Sequence, residues 1–273
     1  SVSWDGGGDG SSWNDQNNWS GNALPGTSDD VTLNVGANPN IVLTGTAAAI
    51  RSLASSENLK VSGTTLTITN GATLNAPTRV CAVGTFNIEG GLTTNDVFTL
   101  GDAGDNSYGL LQFNGLSQTL GGSGSVNAAG TNYAFIYNST LNAGIGDTLT
   151  IAPTIELNFG AYARLTNTYG SGKIINNGQI NAVGVAAASD LIFAGSTTSI
   201  VNNGTMSFTN GASVVCNNLV NNAAHTISVT DSTLTISDDG LTGLSWDNNG
   251  TVTATNSQIN AGGRFVFADI GTF

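Results

Sequence analysis

Tyr133, Phe135 and Tyr137 occupy alternate positions of the run Tyr133-Ala134-Phe135-Ile136-Tyr137. In an extended strand, alternate residues share a face. With Ala134 and Ile136 turned inward, three aromatic rings line up outside. Sugar rings stack their C–H faces on such a row, and an exposed aromatic strip calls for a ligand. Tyr162 and Arg164 follow one coil later, and Ile155-Glu156-Leu157-Asn158-Phe159 turns Glu156 and Asn158 outward by the same alternation. These seven residues form a candidate glycan groove with aromatic, charged and carboxamide tips. The structural alternative is a strand turned over, or a loop laid across the rings.

Other reactive side chains point to less. Asp102 with Asp105, and Asp238 with Asp239, are acid pairs, but each pair lies in a Gly-containing stretch where aspartates ordinarily close turns. A hydrolase wants two carboxylates facing each other across a substrate. A lyase wants a base together with cations or arginines that neutralise a sugar acid. His225 follows a turn and has no suggested Ser or Cys partner, and no catalytic residue is assigned. Asp5, Asp9 and Asp15 lack the spacing of an EF-hand loop, so the expected cofactor set is none, with a calcium loop as the alternative use of those aspartates. The basic residues are Arg51, Lys60, Arg79, Arg164, Lys173 and Arg264, scattered along a chain of formal net charge −12. That balance disfavours nucleic acid, anionic membranes and anionic polysaccharides.

The elements that must position these groups are legible from Lys173 to Thr255. There one phrase recurs: Asn176-Asn177-Gly178, Asn202-Asn203-Gly204, Asn221-Asn222-Ala223 and Asn248-Asn249-Gly250, at spacings of 26, 19 and 27 residues. A loose period in the twenties marks a solenoid. Asn and Gly tolerate positive φ, so the phrase is expected to bend the chain between short strands and to stack into side-chain ladders. Val31-Thr32-Leu33-Asn34-Val35, Ile41-Val42-Leu43-Thr44, Thr65-Leu66-Thr67-Ile68-Thr69 and Thr85-Phe86-Asn87-Ile88 alternate as half-buried strands do. The expected fold is all-β, a right-handed parallel β-helix of roughly a dozen coils, in one domain over residues 1–273. A β-sandwich or propeller is the competing architecture. Cys81 and Cys216 then lie about six coils, or about 29 Å, apart, too far for a disulfide.

Residues 1–30 differ from the rest. Trp4, Trp13 and Trp19 are threaded through Asp5-Gly6-Gly7-Gly8-Asp9-Gly10 and Asn14-Asp15-Gln16-Asn17-Asn18. A solenoid's first coil has an open apolar end and an unpaired edge, and these rings are expected to cap it. At the far end, Phe265-Val266-Phe267-Ala268-Asp269 reads as strand, with Phe265, Phe267 and Phe273 as closing residues, or the native protein continues. The opening at Ser1 without Met fits a mature or excised segment of a longer multidomain chain.

Trp4-Asp5-Gly6-Gly7-Gly8-Asp9-Gly10-Ser11-Ser12-Trp13, then Asn18-Trp19-Ser20, Leu24-Pro25-Gly26 and Asp29-Asp30-Val31, resembles the start of β-helical repeat domains of bacterial secreted and surface proteins, among them autotransporter-like and haemagglutinin-like adhesins. The resemblance covers about the first 75 residues and, more loosely, the Asn-Asn-Gly coils. It extends to β-helical modules fused to xylanases, whose role is carbohydrate binding, and it carries no catalytic motif onto any position here. The resemblance and the residues together imply an extracellular or cell-surface protein. The expected role is a non-catalytic module that binds a neutral plant-type polysaccharide such as xylan. An adhesin stalk without a small ligand is the alternative, and a β-helical polysaccharide-degrading enzyme stands third. Charged residues make up only 9 % of the chain, against about 25 % in ordinary domains, and no apolar run is long enough to cross a membrane.

Overall fold

The computed structural model describes residues 1–101, 108–128, 135–139, 148–160, 163–169, 172–184, 191–193, 199–238 and 245–273. The chain winds as a parallel β-solenoid with three sheets. Asp30–Leu33, Asn40–Thr44 and Ala48–Ile50 form the first coil, Ser52–Ser55, Asn58–Ser62 and Thr65–Ile68 the second, and the pattern continues to Asp247–Asn248, Thr251–Thr255 and Gln258–Ala261. The first strand of every coil belongs to sheet I, the second to sheet II and the third to sheet III. Sheet I holds eleven strands because Val2–Ser3 adds to its edge, and sheets II and III hold ten each. The coils are therefore fewer than the dozen expected. The cap consumes the first 30 residues, and the coil-to-coil step stretches to 31 residues between Asn127 and Asn158.

Every pairing between named strands is parallel, which excludes a sandwich of antiparallel strands. Alternation does the sorting. In Thr205–Thr209, Met206 and Phe208 are buried while Thr205, Ser207 and Thr209 face out. Stacked inward residues merge into one apolar column, with Phe86 and Phe98 meeting edge to face at 5.3 Å. No single coil could bury its own face, so stability is shared between neighbours. Among the described residues helix is confined to two short 3₁₀ turns, Gln16–Asn18 and Phe267–Ile270.

The Asn-Asn-Gly bends work differently from the expectation. None of their asparagines or glycines has positive φ. The glycine is needed because coils approach closely there: a Cβ on Gly204 would lie 2.0 Å from Gly178 O, and one on Gly178 2.3 Å from Ile155 O. The first asparagine is buried and forms a ladder. Asn176 Nδ2 donates to Asn202 Oδ1 at 2.9 Å, Asn202 Nδ2 to Asn221 Oδ1 at 2.8 Å and Asn221 Nδ2 to Asn248 Oδ1 at 2.8 Å. Asn248 Nδ2 ends the series on Ile270 O and Thr272 O. Each of these four buried carboxamides finds partners, as burial demands.

The tryptophans cap the first coil. Trp19 packs edge-on against Trp4 at 5.0 Å and Trp13 at 4.7 Å, and all three are buried. Trp19 Nε1 donates to Trp13 O at 2.7 Å. Trp4 N and Trp13 N donate to Thr32 O and Val42 O, so the cap also pairs the edges of sheets I and II. The far end departs from expectation. Residues Phe267–Ile270 form a 3₁₀ turn rather than a strand, and the buried ring there is Trp246, which sequence reading missed. Phe265 packs on Trp246 at 4.9 Å but stays 41 % exposed, and Phe273 is 51 % exposed. Cys81 and Cys216 are free and buried on different sheets, and burial pushes the Cys216 thiol pKa up.

Candidate functional site

The five described residues of the expected groove divide between two sheets. Glu156 and Asn158 lie on the strand Glu156–Phe159 of sheet II, half-buried, between the buried Leu157 and Phe159. Phe135 and Tyr137 lie on Phe135–Ser139 of sheet III, on either side of the buried Ile136. Arg164 begins the next strand of the same sheet, in register with Phe135, while Tyr137 pairs with Thr166. The one-coil offset expected between the aromatic run and Arg164 is thus present in the backbone. Tyr133, Ala134 and Tyr162 lie outside the described residues. So do Asp102, Asp105 and Asp239, whereas Asp238 pairs with Arg264 at 2.7 Å.

Sheet II adds what the sequence did not announce. Register places Thr99, Asn127, Asn158, Asn181, Ser207, Ser228 and Thr253 in a single file, one per coil, along the outer face. Asn181 Nδ2 donates to Asn158 Oδ1 and Asn158 Nδ2 to Asn127 Oδ1, both at 2.9 Å. Asn181 Nδ2 also reaches Glu156 Oε1 at 2.7 Å. In the last three coils a row of threonines flanks the file on each side: Thr205, Thr226 and Thr251 on one, Thr209, Thr230 and Thr255 on the other. Nine hydroxyls thus stand in a grid with about 4.8 Å between coils and about 7 Å along each strand. Threonine is stiff at χ1, and Met206, Phe208, Ile227, Val229 and Val252 beneath the grid are buried, so most of the grid is held before any ligand arrives.

The grid owes its register to the bends beside it. Asn177-Gly178, Asn203-Gly204 and Asn249-Gly250 lead directly into the strands Gln179–Val183, Thr205–Thr209 and Thr251–Thr255. A ladder that fixes each bend therefore fixes where the next strand begins. The signal was present in the sequence as Thr-x-Ser-x-Thr at Thr205 and Thr226 and Thr-x-Thr-x-Thr at Thr251, but its meaning depends on alignment.

Recesses open on these faces. One of about 630 Å³ crosses sheet I over Thr32, Ala54, Thr73 and Thr93. Arg51 and Asp30 pair at its edge, and that contact lowers the carboxyl pKa of Asp30. A recess of about 340 Å³ on sheet II is bordered by Asp96, Ser123, Ser125, Thr154 and Glu156. Another of about 340 Å³ lies at the N-terminal end of sheet II, over Lys60 and Arg79.

The cap aspartates are committed to the backbone. Asp9 Oδ1 accepts from Ser12 N at 2.7 Å, Ser11 N at 2.9 Å and Asn18 Nδ2 at 2.8 Å, and these bonds lower its pKa to about 2. Asp15 accepts from Asp9 N and Asn17 N, and Asp5 from Gly7 N. Among the described residues no group of three His, Cys, Asp or Glu side chains is placed to hold a metal ion.

Comparison with family models, with curated proteins and with solved structures finds no match for this chain.

Proposed function

We propose that this chain is a non-catalytic carbohydrate-binding module of a secreted bacterial protein, and that its ligand is a neutral plant-type polysaccharide such as xylan. The supporting observation is the uncharged file from Asn127 to Thr253, with its flanking threonines. A linear glycan presents hydroxyls at regular intervals along an extended chain. A straight row of fixed hydroxyl and carboxamide groups can exchange hydrogen bonds with it at many points, each worth about 0.5–1.5 kcal/mol net. The file runs along the solenoid axis, so its length grows with the number of coils. The aromatic strand of sheet III, next around the coil, would add stacking to one side of the ligand.

Affinity electrophoresis of the chain against soluble neutral polysaccharides tests this. Retardation by xylan is expected, with loss of most of it in Ser228→Tyr, which plants a bulky ring in the file at an outward position. No retardation by any polysaccharide of the panel overturns the proposal and leaves the adhesin stalk, for which the continuous ladders are sufficient reason. A hydrolase is the other competitor, because Asp96 and Glu156 border one recess and paired carboxylates are the machinery of glycoside cleavage. Reducing ends released from xylan, and abolished in Glu156→Gln, would establish that reading instead.

A further inference from the structure

The hydroxyl grid on sheet II repeats in two directions, whereas a single glycan chain follows only one. Thr205 and Ser207 pair with Thr226 and Ser228, and Thr226, Ser228 and Thr230 pair with Thr251, Thr253 and Thr255. Thr209, the next outward residue of its strand, completes the grid. With partners in register, the rows cross the strands squarely. Coils are about 4.8 Å apart and alternate residues of a strand about 7 Å apart, so the nine groups cover a rectangle of about 10 Å by about 14 Å. A ligand that meets all of them at once is itself periodic in two directions.

The chemistry of the grid is as regular as its spacing. Thr205, Thr226, Thr253 and Thr255 are exposed and the other five residues half-exposed. Among the described residues none of the nine hydroxyls is bonded to another protein group. On the same sheet face, by contrast, Asn127, Asn158 and Asn181 spend their amides on one another. No charged side chain stands within the rectangle, in a chain of net charge −12. A hydroxyl donates one hydrogen bond and accepts two, so it can stand in for a water molecule at the edge of a lattice. Each threonine adds a methyl group, beside which first-layer water is restricted in orientation.

We propose that this grid binds ice. The prism faces of hexagonal ice repeat along two perpendicular axes, and the steps of about 4.8 Å and about 7 Å come within about a tenth of those two repeats. Water held on the nine hydroxyls is then spaced nearly as it is in the crystal, and joins the growing face with little rearrangement. Fixed positions are essential to such a match. The stiff χ1 of threonine supplies them, together with the buried Met206, Phe208, Ile227, Val229 and Val252 underneath. The inference goes beyond the glycan reading and does not depend on it, because the ligand is ordered water and the two ligands would share the face.

Ice recrystallisation in frozen saline contains no polysaccharide, so its outcome is separate from that of xylan retardation. The parent protein is expected to keep the final ice grains several-fold smaller than an equal mass of serum albumin does. Thr230→Tyr, in the middle coil of one flanking row, should abolish the inhibition. Thr73→Tyr, the same change at an exposed position of sheet I, should leave it intact, with circular dichroism checking both folds. Should Thr230→Tyr not fold, Thr255→Tyr on the last coil takes its place. A fluorescently labelled parent should also coat the prism faces of a single ice crystal. No inhibition by the parent, inhibition that survives the folded grid variant, equal loss in Thr73→Tyr, or label confined to the basal face overturns the proposal. Retention on microcrystalline cellulose in place of any activity on ice would assign the grid to a solid glycan surface instead.

Discussion

Asparagine builds two columns in this molecule, and they do opposite work. One runs up the corner between sheets I and II through Asn176, Asn202, Asn221 and Asn248, all at most 1 % exposed. The other runs up the face of sheet II through Asn127, Asn158 and Asn181, all half-exposed. Both link carboxamide to carboxamide in neighbouring coils, and their polarity is reversed: corner amides donate toward the C-terminal end, face amides toward the N-terminal end. The corner column has no water to fall back on, so each bond left unmade costs the full desolvation of its partner. The face column can exchange its bonds for water or for a ligand's hydroxyls at little cost. Burial, not residue type, separates structure from recognition here.

Substitution at the corner should have the largest effect. Asn202→Asp places an acceptor opposite Asn221 Oδ1 and buries a charge, and should cost about 4 kcal/mol at pH 7. Burial raises a carboxyl's pKa in the folded state, so the folded variant takes up a proton more readily than the unfolded chain. Its deficit against the parent should therefore shrink as pH falls, which chemical denaturation across pH would follow. Asn202→Ala removes both ladder bonds, and the longer one from Gly204 N, without the charge and should cost about 3 kcal/mol, with little change of the deficit with pH.

On the face, the order of stability and binding is expected to reverse. Asn158→Ala should change stability by less than about 1 kcal/mol yet weaken retardation by xylan several-fold. Equal destabilisation by Asn158→Ala and Asn202→Ala would erase the distinction between the columns. The smallest effect belongs to the cap. Asp9 has its folded pKa lowered from 3.8 to about 2 by its backbone bonds. Its contribution is complete above about pH 4 and is lost as pH falls toward 2. Asp9→Asn should accordingly lower the melting temperature slightly at pH 7, with a gap that closes near pH 2.

Much of the fold was readable residue by residue. Met206 and Phe208 between Thr205, Ser207 and Thr209 announce an outward and an inward face, and Trp4, Trp13 and Trp19 among glycines and aspartates announce a cap. The Asn-Asn-Gly phrase announced a bend, although for a partly mistaken reason. Its glycines serve the close approach of one coil to the next, which no local property of Gly178 or Gly204 reveals. Of the candidate site, Glu156 and Asn158 were placed outward correctly, but their grouping with Arg164 was not visible as a division between two sheets. Trp246 carried no local mark of its role at the far end.

Strand content, the inward and outward side of each strand, and the positions of the bends follow from the sequence alone, because they depend on neighbours one or two residues away. Which residues stand side by side is settled only by the stacked coils. The step from one coil to the next varies from 18 residues between Asn40 and Asn58 to 31 between Asn127 and Asn158. With no constant period to count by, register is chosen by packing of the core and by the buried carboxamides. That choice alone brings Lys60 beside Arg79 and draws Ser207, Ser228 and Thr253 into line.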